Sequence, residues 1–301
     1  MEASRATSRQ HAWPLAGLRQ VVGDYVELTK PRVQSLLLLT TITTMYVAGD
    51  PSLGLVALTC LGGSLSAGGA GAVNHWFDRD IDAQMARTAN RPVPAGRIAP
   101  GAALGFGIVL AALSFALLAL TVNVLSASLA LAGFLGYVFV YTIWLKRSTP
   151  QNIVIGGAAG AVPPLVGWTA VTGSLDPTSL YLFAIVFYWT PPHFWALSLL
   201  MKDEYARVGV PMMPVVHGEA ETRRQIVLYT SLLIVLTLLP VVFGFFGALY
   251  ATVAVALGGA FLVHAVRLQR RADRRSALRT YLFSLLYLAL LFCAMVADVR
   301  L

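Results

Sequence analysis

Nine stretches of this chain carry almost nothing but apolar side chains for close to the length needed to cross a bilayer. They fall at 33–49, 52–74, 100–121, 123–145, 151–171, 178–200, 226–246, 248–266 and 279–298. A run of roughly 20 such residues is stable in lipid as a helix, because its backbone polar groups then bond within the segment, where no water can serve them. The apolar residues are continuous and do not alternate, which excludes a transmembrane β-barrel. With 57% hydrophobic residues, 12% charged and a mean hydropathy of +0.71, the chain has too little polar surface to coat a water-soluble globule, and the same figures exclude intrinsic disorder. The expected fold class is all-α: a polytopic membrane helical bundle of about nine spans. Residues 1–24 read as a basic N-terminal tail and 25–301 as one intramembrane domain. Cys60 and Cys293 both lie inside apolar runs, which suits neither a disulfide framework nor a zinc site.

The formal net charge of +8 reads first as topology, and no nucleic-acid partner is expected. The first, third, fifth and seventh connections between spans contain no Lys or Arg, as in Ala48-Gly49-Asp50 and Val171-Thr172-Gly173-Ser174. The even ones hold nearly all the cations, including Arg79, Arg87, Arg91 and Arg97, then Lys146 and Arg147, and Arg267 through Arg279. The positive-inside bias therefore places the N-terminus and the even loops in the cytoplasm, with the C-terminus and Arg300 outside. No cleavable signal peptide is expected from the polar, basic first residues. Their shortness favours a bacterial inner membrane over the mitochondrial inner membrane. Asp50-Pro51, Thr149-Pro150 and Asp176-Pro177 each read as a helix cap followed by proline at the first helical position.

The acidic residues are more informative than the basic ones. After the second span the chain reads Asn74-His75-Trp76-Phe77-Asp78-Arg79-Asp80-Ile81-Asp82, followed by Arg87 and Arg91-Pro92. On a continuing helix at 100° per residue, Asn74, Asp78 and Asp82 share one narrow stripe, and Asp80 points away from it. Stacked carboxylates repel unless a cation lies between them. An all-oxygen set of this size suits Mg²⁺ that borrows further oxygens from a substrate phosphate, with Arg87 and Arg91 holding the same phosphate. The alternative is a wet helix end on which the aspartates merely balance neighbouring arginines. A second loop joins acids to cations on the same side: Thr190-Pro191-Pro192-His193-Phe194-Trp195, then Lys202-Asp203-Glu204-Tyr205-Ala206-Arg207. Together the two loops form a plausible clamp for a metal-diphosphate. Lys146 and Arg147 add charge from a third side, or simply anchor the rim of the bundle. His193, deep in an apolar run, is costly unless paired. It reads equally as a ligand contact or as a histidine satisfied beside a helix kink. The Gly156–Ala161 run lacks a phosphate-loop Lys and reads as close helix packing.

Asn74-x-x-x-Asp78-x-x-x-Asp82 with Arg87 and Arg91-Pro92 resembles the first aspartate-rich motif of the UbiA superfamily of intramembrane prenyltransferases. A narrower resemblance, to the haem-farnesylating branch (protohaem IX farnesyltransferases, or haem O synthases), rests on three stretches. These are Asn74–Asp82, Tyr141-Thr142-Ile143-Trp144-Leu145-Lys146-Arg147-Ser148-Thr149-Pro150-Gln151-Asn152, and Trp189–Trp195 through Asp203-Glu204-Tyr205. The resemblance spans roughly residues 25–298 and implies nine transmembrane helices. It also implies transfer of a farnesyl group from farnesyl diphosphate to a vinyl group of protohaem IX with addition of water, giving haem O and diphosphate. Mg²⁺ would be the cofactor, with Asn74, Asp78, Asp82 and Asp203 as its ligands and Lys202 beside them in the catalytic set. Arg87, Arg91, Lys146, Arg147, His193, Glu204, Tyr205 and Arg207 would hold substrate. Haem A synthase or terminal oxidase assembly factors are the partners such a product implies. One pair, Asp203-Glu204, is less acidic than the second motif of other branches, which leaves open whether that loop binds metal or mainly supplies cations. The rival readings are a prenyltransferase of the same fold acting on a quinone precursor, and a membrane transporter. A transporter more naturally places ionisable groups mid-membrane than at one rim.

Overall fold

The computed structural model of the chain describes residues 15–301. Residues 1–14 of the expected basic tail lie outside the described residues. The chain is already helical in α1 (Leu15–Leu28), whose Asp24 and Glu27 hold Arg97 at 2.8 and 3.6 Å. Then come α2 (Pro31–Ala48), α3 (Leu53–Phe77), a short α4 (Arg79–Gln84), α5 (Pro100–Thr121) and α6 (Val124–Leu135). α6 runs on as a π-helical segment, Gly136–Trp144, into a 3₁₀ turn at Leu145–Arg147. α7 (Asn152–Gly160) and α8 (Val162–Thr172) together make the next rod. α9 (Pro177–Leu200) is followed by the short α10 (Lys202–Arg207) and α11 (Met213–Val216). α12 (Gly218–Val242), α13 (Ala248–Arg271) and α14 (Arg274–Arg300) close the chain. Among the described residues there is no strand.

The nine apolar runs correspond to nine rods, and seven of them are long and apolar enough to cross a membrane. The two that fall short, α2 and α9, are diluted for identifiable reasons. α2 carries Arg32, Gln34 and four threonines, of which Thr40, Thr41 and Thr43 return their hydroxyls to carbonyls of their own helix. α9 contains Pro191, Pro192 and His193. The count of nine is therefore approximate. Each rod packs on the next in sequence, and α14 packs back on α2, so the bundle closes on itself. Its outer surface exposes Leu120, Val124, Val235 and Val242, among many other large apolar side chains, as a lipid-facing surface must.

Close approach of backbones sets the tightest crossings. A Cβ added at Gly69 would stand 2.6 Å from the carbonyl oxygen of Gly107, and one at Gly107 would stand 2.8 Å from that of Gly69. α3 and α5 thus meet backbone to backbone, the contact that small residues allow when lipid supplies no hydrophobic drive between helices. Gly71 does the same for the turn between α1 and α2, where its added Cβ would lie 2.8 Å from the carbonyl of Leu28.

Of the three expected caps, Asp176 acts as read: its carboxylate accepts from the Ser179 amide at 3.0 Å, and the Ser179 hydroxyl accepts from the Asp176 amide in return. The other two differ. α3 starts after Ser52, which accepts from Leu55 N, and Asp50 instead pairs with Arg300 at the opposite end of the chain. α7 starts after Gln151, and Thr149 contributes its carbonyl to Asn152 Nδ2 at 2.7 Å. Local sequence marked a helix start in each case, but ion pairing and a two-residue extension of the turn decided where.

Gly69→Val should lower the midpoint of reversible denaturant unfolding by an amount equivalent to about 1–3 kcal/mol. Gly63→Ala, with nothing within 4 Å of its added Cβ, should leave that midpoint unchanged. Equal behaviour of the two variants would contradict the α3–α5 crossing.

Candidate functional site

The helix of Asn74 ends at Phe77, but its hydrogen-bond ladder scarcely breaks. Asp78 N donates to Asn74 O at 2.9 Å and Asp82 N donates to Asp78 O at 2.8 Å, so α4 continues α3 around a hinge at Asp78. Asn74, Asp78 and Asp82 are all buried, while the Asp80 side chain is 58% exposed. Burying carboxylates at a membrane rim is costly unless cations accompany them, and here they come from three separate segments. Lys146 pairs with Asp78 Oδ2, and Arg147 Nη2 lies 3.4 Å from Asp78 Oδ1. Arg91 Nη1 bonds Asp82 Oδ2 at 2.7 Å. Arg147 also grips both oxygens of Asp80, at 2.8 and 2.7 Å, and covers the Phe77 ring. That fork holds the Asp80 carboxyl down to about 2.

Two participants were not singled out from the sequence. Lys30 Nζ donates to Asn74 Oδ1 at 2.6 Å, which turns the amide so that its Nδ2 donates to Asp78 Oδ2 at 2.7 Å and to Thr142 Oγ1 at 3.2 Å. Lys30 sits in the left-handed region, φ 54°, immediately before Pro31. A non-glycine residue there is strained, and such strain persists only where the surroundings hold it. Burial, with Arg91 and Lys146 close by, pulls the Lys30 ammonium down to about 7. The sequence signal was a Lys-Pro at the mouth of the first span, where a cation needs no explanation beyond membrane topology. Thr142 comes from the π-helical segment, whose wider turn shifts the facing of everything after it and so presents Thr142, Lys146 and Arg147 to the acids. Gly156 lets α7 lie directly on the Tyr141 ring, and a Cβ added at Gly157 would stand 2.9 Å from the Thr190 side chain. The small-residue run thus serves close packing.

The second loop divides. Tyr205 packs with Ile81, Met85, Tyr141 and Val210, so α10 covers α4 with apolar contact. Its phenol is raised by burial. Lys202 and Asp203 are not brought to the stripe. Lys202 Nζ bonds Glu219 Oε1 at 2.6 Å, and Asp203 is exposed. On α10 these two side chains precede the face that Tyr205 turns inward, and Glu219, at the start of α12, supplies Lys202 with a nearer partner. Glu204 has a buried Oε2 without a hydrogen-bond partner, and Arg87 and Arg207 are exposed.

His193 is buried between α9 and α14, stacked on Trp189 at 4.3 Å and on Tyr281 at 4.9 Å. Its Nδ1 meets Ser284 Oγ at 2.7 Å, and that hydroxyl donates onward to Tyr281 O at 2.6 Å. A hydroxyl has one proton, so Nδ1 is the donor and the lone pair resides on Nε2. His193 does not touch the stripe. His75 is buried with both ring nitrogens unpartnered.

Among the described residues, no three His, Cys, Asp or Glu side chains gather as a metal site. Two buried carboxylates one helical turn apart match a hard cation that uses one or two protein carboxylates and takes its other oxygens from a phosphate, and Asn74, whose Nδ2 now faces Asp78, would add its oxygen to that set by turning its amide away from Lys30. The four cations around them would then turn to that phosphate.

Residues 37–291 match the family described as the UbiA prenyltransferase family. The chain is 57% identical over 286 residues to the protoheme IX farnesyltransferase of Roseiflexus sp. (strain RS-1), covering 94% of this chain and 54% of that protein. It is 57% identical over 284 residues to the protoheme IX farnesyltransferase of Symbiobacterium thermophilum, covering 93% and 95%. The chain therefore spans about half the length of the first curated relatives it matches and nearly all of another. Among solved structures, a UbiA homolog from Archaeoglobus fulgidus bound to DMAPP and Mg2+ superposes with a TM-score of 0.70 at 19% identity, covering 90% of this chain and 99% of that one. At that identity the superposition speaks for the fold. The family match and the identity to nearly full-length relatives together show that this chain belongs to the UbiA prenyltransferase family.

Proposed function

We propose that this protein transfers the farnesyl group of farnesyl diphosphate to a vinyl group of protohaem IX, with addition of water, giving haem O and diphosphate. The observation that carries the reading is the buried Asn74–Asp78–Asp82 stripe ringed by Lys30, Lys146, Arg147 and Arg91. The names of the relatives at 57% identity support the acceptor. Asn74, Asp78 and Asp82 would hold Mg²⁺, with no ligand from Asp203. When bound, Mg²⁺ supplies positive charge to the diphosphate oxygens and so eases departure of the anion.

The chain's own residues do the rest. Lys30, Lys146, Arg147 and Arg91 bind the diphosphate oxygens and stabilise the charge that develops there as the allylic C–O bond breaks, the diphosphate leaving with the electron pair. Tyr205, Met85 and Ile81 exclude water above that bond. The π-faces of nearby aromatics favour the allylic cation. The haem vinyl group donates its π pair to form the new C–C bond, and water adds to the resulting cation and loses a proton. His193, with its Nε2 lone pair free, is the group suited to a haem iron, lying roughly 10 Å along α9 from Leu200. Residues 25–301 form the working domain, with the residues before it a basic tail. The protein sits in a bacterial inner membrane with its N-terminus in the cytoplasm, and its product serves haem A synthase or terminal oxidase assembly.

Three outcomes test this reading. In membranes supplied with farnesyl diphosphate and haem, mass analysis should find haem O; chelation of Mg²⁺ should stop its formation, and added Mg²⁺ should restore it. A prenylated quinone precursor in its place would select the sister reaction. Asp78→Asn and Asp82→Asn should each lower kcat on the order of a hundredfold or more, and exposed Asp80→Asn far less. Comparable losses at all three would contradict a one-sided stripe. His193→Ala should abolish the axial-ligand signature in the haem absorption spectrum while leaving farnesyl diphosphate binding intact. An unchanged spectrum would remove His193 from the acceptor site.

A further inference from the structure

α1 meets the bundle along one edge. Leu28 is fully buried there, Asp24 is nearly so with Arg97 at 2.8 Å, and the Tyr25 ring stands edge-on to Phe106 at 4.9 Å. The exposed residues of the helix are sorted by kind. Leu18, Val22 and Val26, each about half exposed, recur at i, i+4 and i+8, which places them within about 80° of one another. Gln20 and Glu27, also exposed, fall on the far side of the helix from them, and Arg19 lies at the border beside Val26. Going round α1, the sectors therefore run bundle, apolar, charged.

An apolar arc of this kind is a liability in open water, but its neighbours are surfaces that face lipid. Phe106, which receives Tyr25, belongs to α5, a membrane span that goes on to expose Ile108 and Val109, and α2 exposes Val33 in its first turn. The arc on α1 continues that surface. α1 is itself too short to cross a bilayer: its 14 residues fall below the roughly 20 that a span needs. Nor does it prolong α2. Lys30, at φ 54°, turns the chain between the two helices, and Pro31 opens the second. A short helix with one side on protein, one apolar and one charged fits where protein, lipid and water meet, with the arginine at the border reaching up to the headgroups.

We propose that α1 is a membrane-surface anchor that lies in the plane of the bilayer interface, Leu18, Val22 and Val26 seated among acyl chains of the leaflet that borders the acidic stripe. Since α1 ends two residues before Lys30, the turn that reaches Asn74 is then held by the bilayer as well as by α3. The anchor does not depend on which reaction the stripe performs.

The test places single nitroxide-labelled cysteines along α1 in a C60S/C293S background and reads their collisions with oxygen and with a water-soluble nickel chelate, the full chain being in phosphatidylcholine bilayers. Labels at Leu18, Val22 and Val26 should collide with oxygen and lie roughly 5–10 Å below the headgroup boundary. Their nickel accessibility should be at least about threefold below that of labels at Gln20 and Glu27. Val22→Glu should raise nickel accessibility at a Leu18 label. Should the cysteine-free background fail to fold, benzoylphenylalanine at Val22 of the native chain carries the same readout, crosslinking to phospholipid on irradiation where the same group at Gln20 does not. Nickel accessibility at Leu18, Val22 and Val26 equal to that at Gln20 and Glu27 would overturn the proposal. So would protection of those three labels from both reagents, which would mark a protein partner on the arc.

Discussion

Two carboxylates buried at the end of a membrane helix impose most of what is specific about this structure. Asp78 is fully shielded and Asp82 nearly so. Removing one partner from such a buried pair typically costs about 3–5 kcal/mol, because the remaining charge is left without compensation. The fold must therefore deliver cations to this spot from wherever the chain has them. It brings Lys30 from the turn before α2, Arg91 from the loop after α4, and Lys146 and Arg147 from the end of the rod begun by α6. The ends of two spans and the loop after α4 are tied to the end of a third span, α3, and its continuation α4.

The local irregularities serve that convergence. A regular α-helix through Gly136–Trp144 would present different side chains to α3, and the π-helical stretch instead turns Thr142 toward Asn74 and delivers Lys146 and Arg147 to the aspartates. Lys30 reaches Asn74 only from a left-handed backbone conformation, and Gly71 is what lets the turn carrying it ride so close on α3. Asn74 is the pivot of the cluster: its oxygen accepts from Lys30 and its nitrogen donates to Asp78 and Thr142, so a single amide orients a cation, a carboxylate and a hydroxyl.

Much of this was legible in sequence, and the boundary of legibility has a physical meaning. The spans were readable because lipid forces long apolar runs, and α2 and α9, although read as spans, fall short of the other seven because they trade apolar residues for threonine, proline and histidine. The stripe was readable because helical periodicity alone puts Asn74, Asp78 and Asp82 on one face and Asp80 off it, and burial follows the same division. Lys30 and Thr142 were not readable as site residues. One depends on a left-handed turn and the other on a change of helical pitch, neither of which leaves a compositional mark. Lys202 was read as a cation that the second loop offers to the diphosphate beside the stripe. Its nearest acid in space is Glu219, seventeen residues on, and a local pattern cannot rank partners across a turn.

The balance of charge around the stripe also bears on what it can hold. Lys30, Lys146, Arg91 and Arg147 surround two buried carboxylates, and a third carboxylate, Asp80, lies outside and pairs with Arg147 alone. A site built only to neutralise its own acids would need fewer cations. One built for a lone metal ion would need fewer still, since each ammonium or guanidinium opposes it. An excess of cations around oxygen ligands is electrostatically reasonable when metal and polyanion arrive together, the carboxylates turning to the metal and the cations to the phosphate oxygens. A substrate with a charged head and a long apolar tail can then keep the head at this rim while its tail enters a bundle interior that offers almost no other charge.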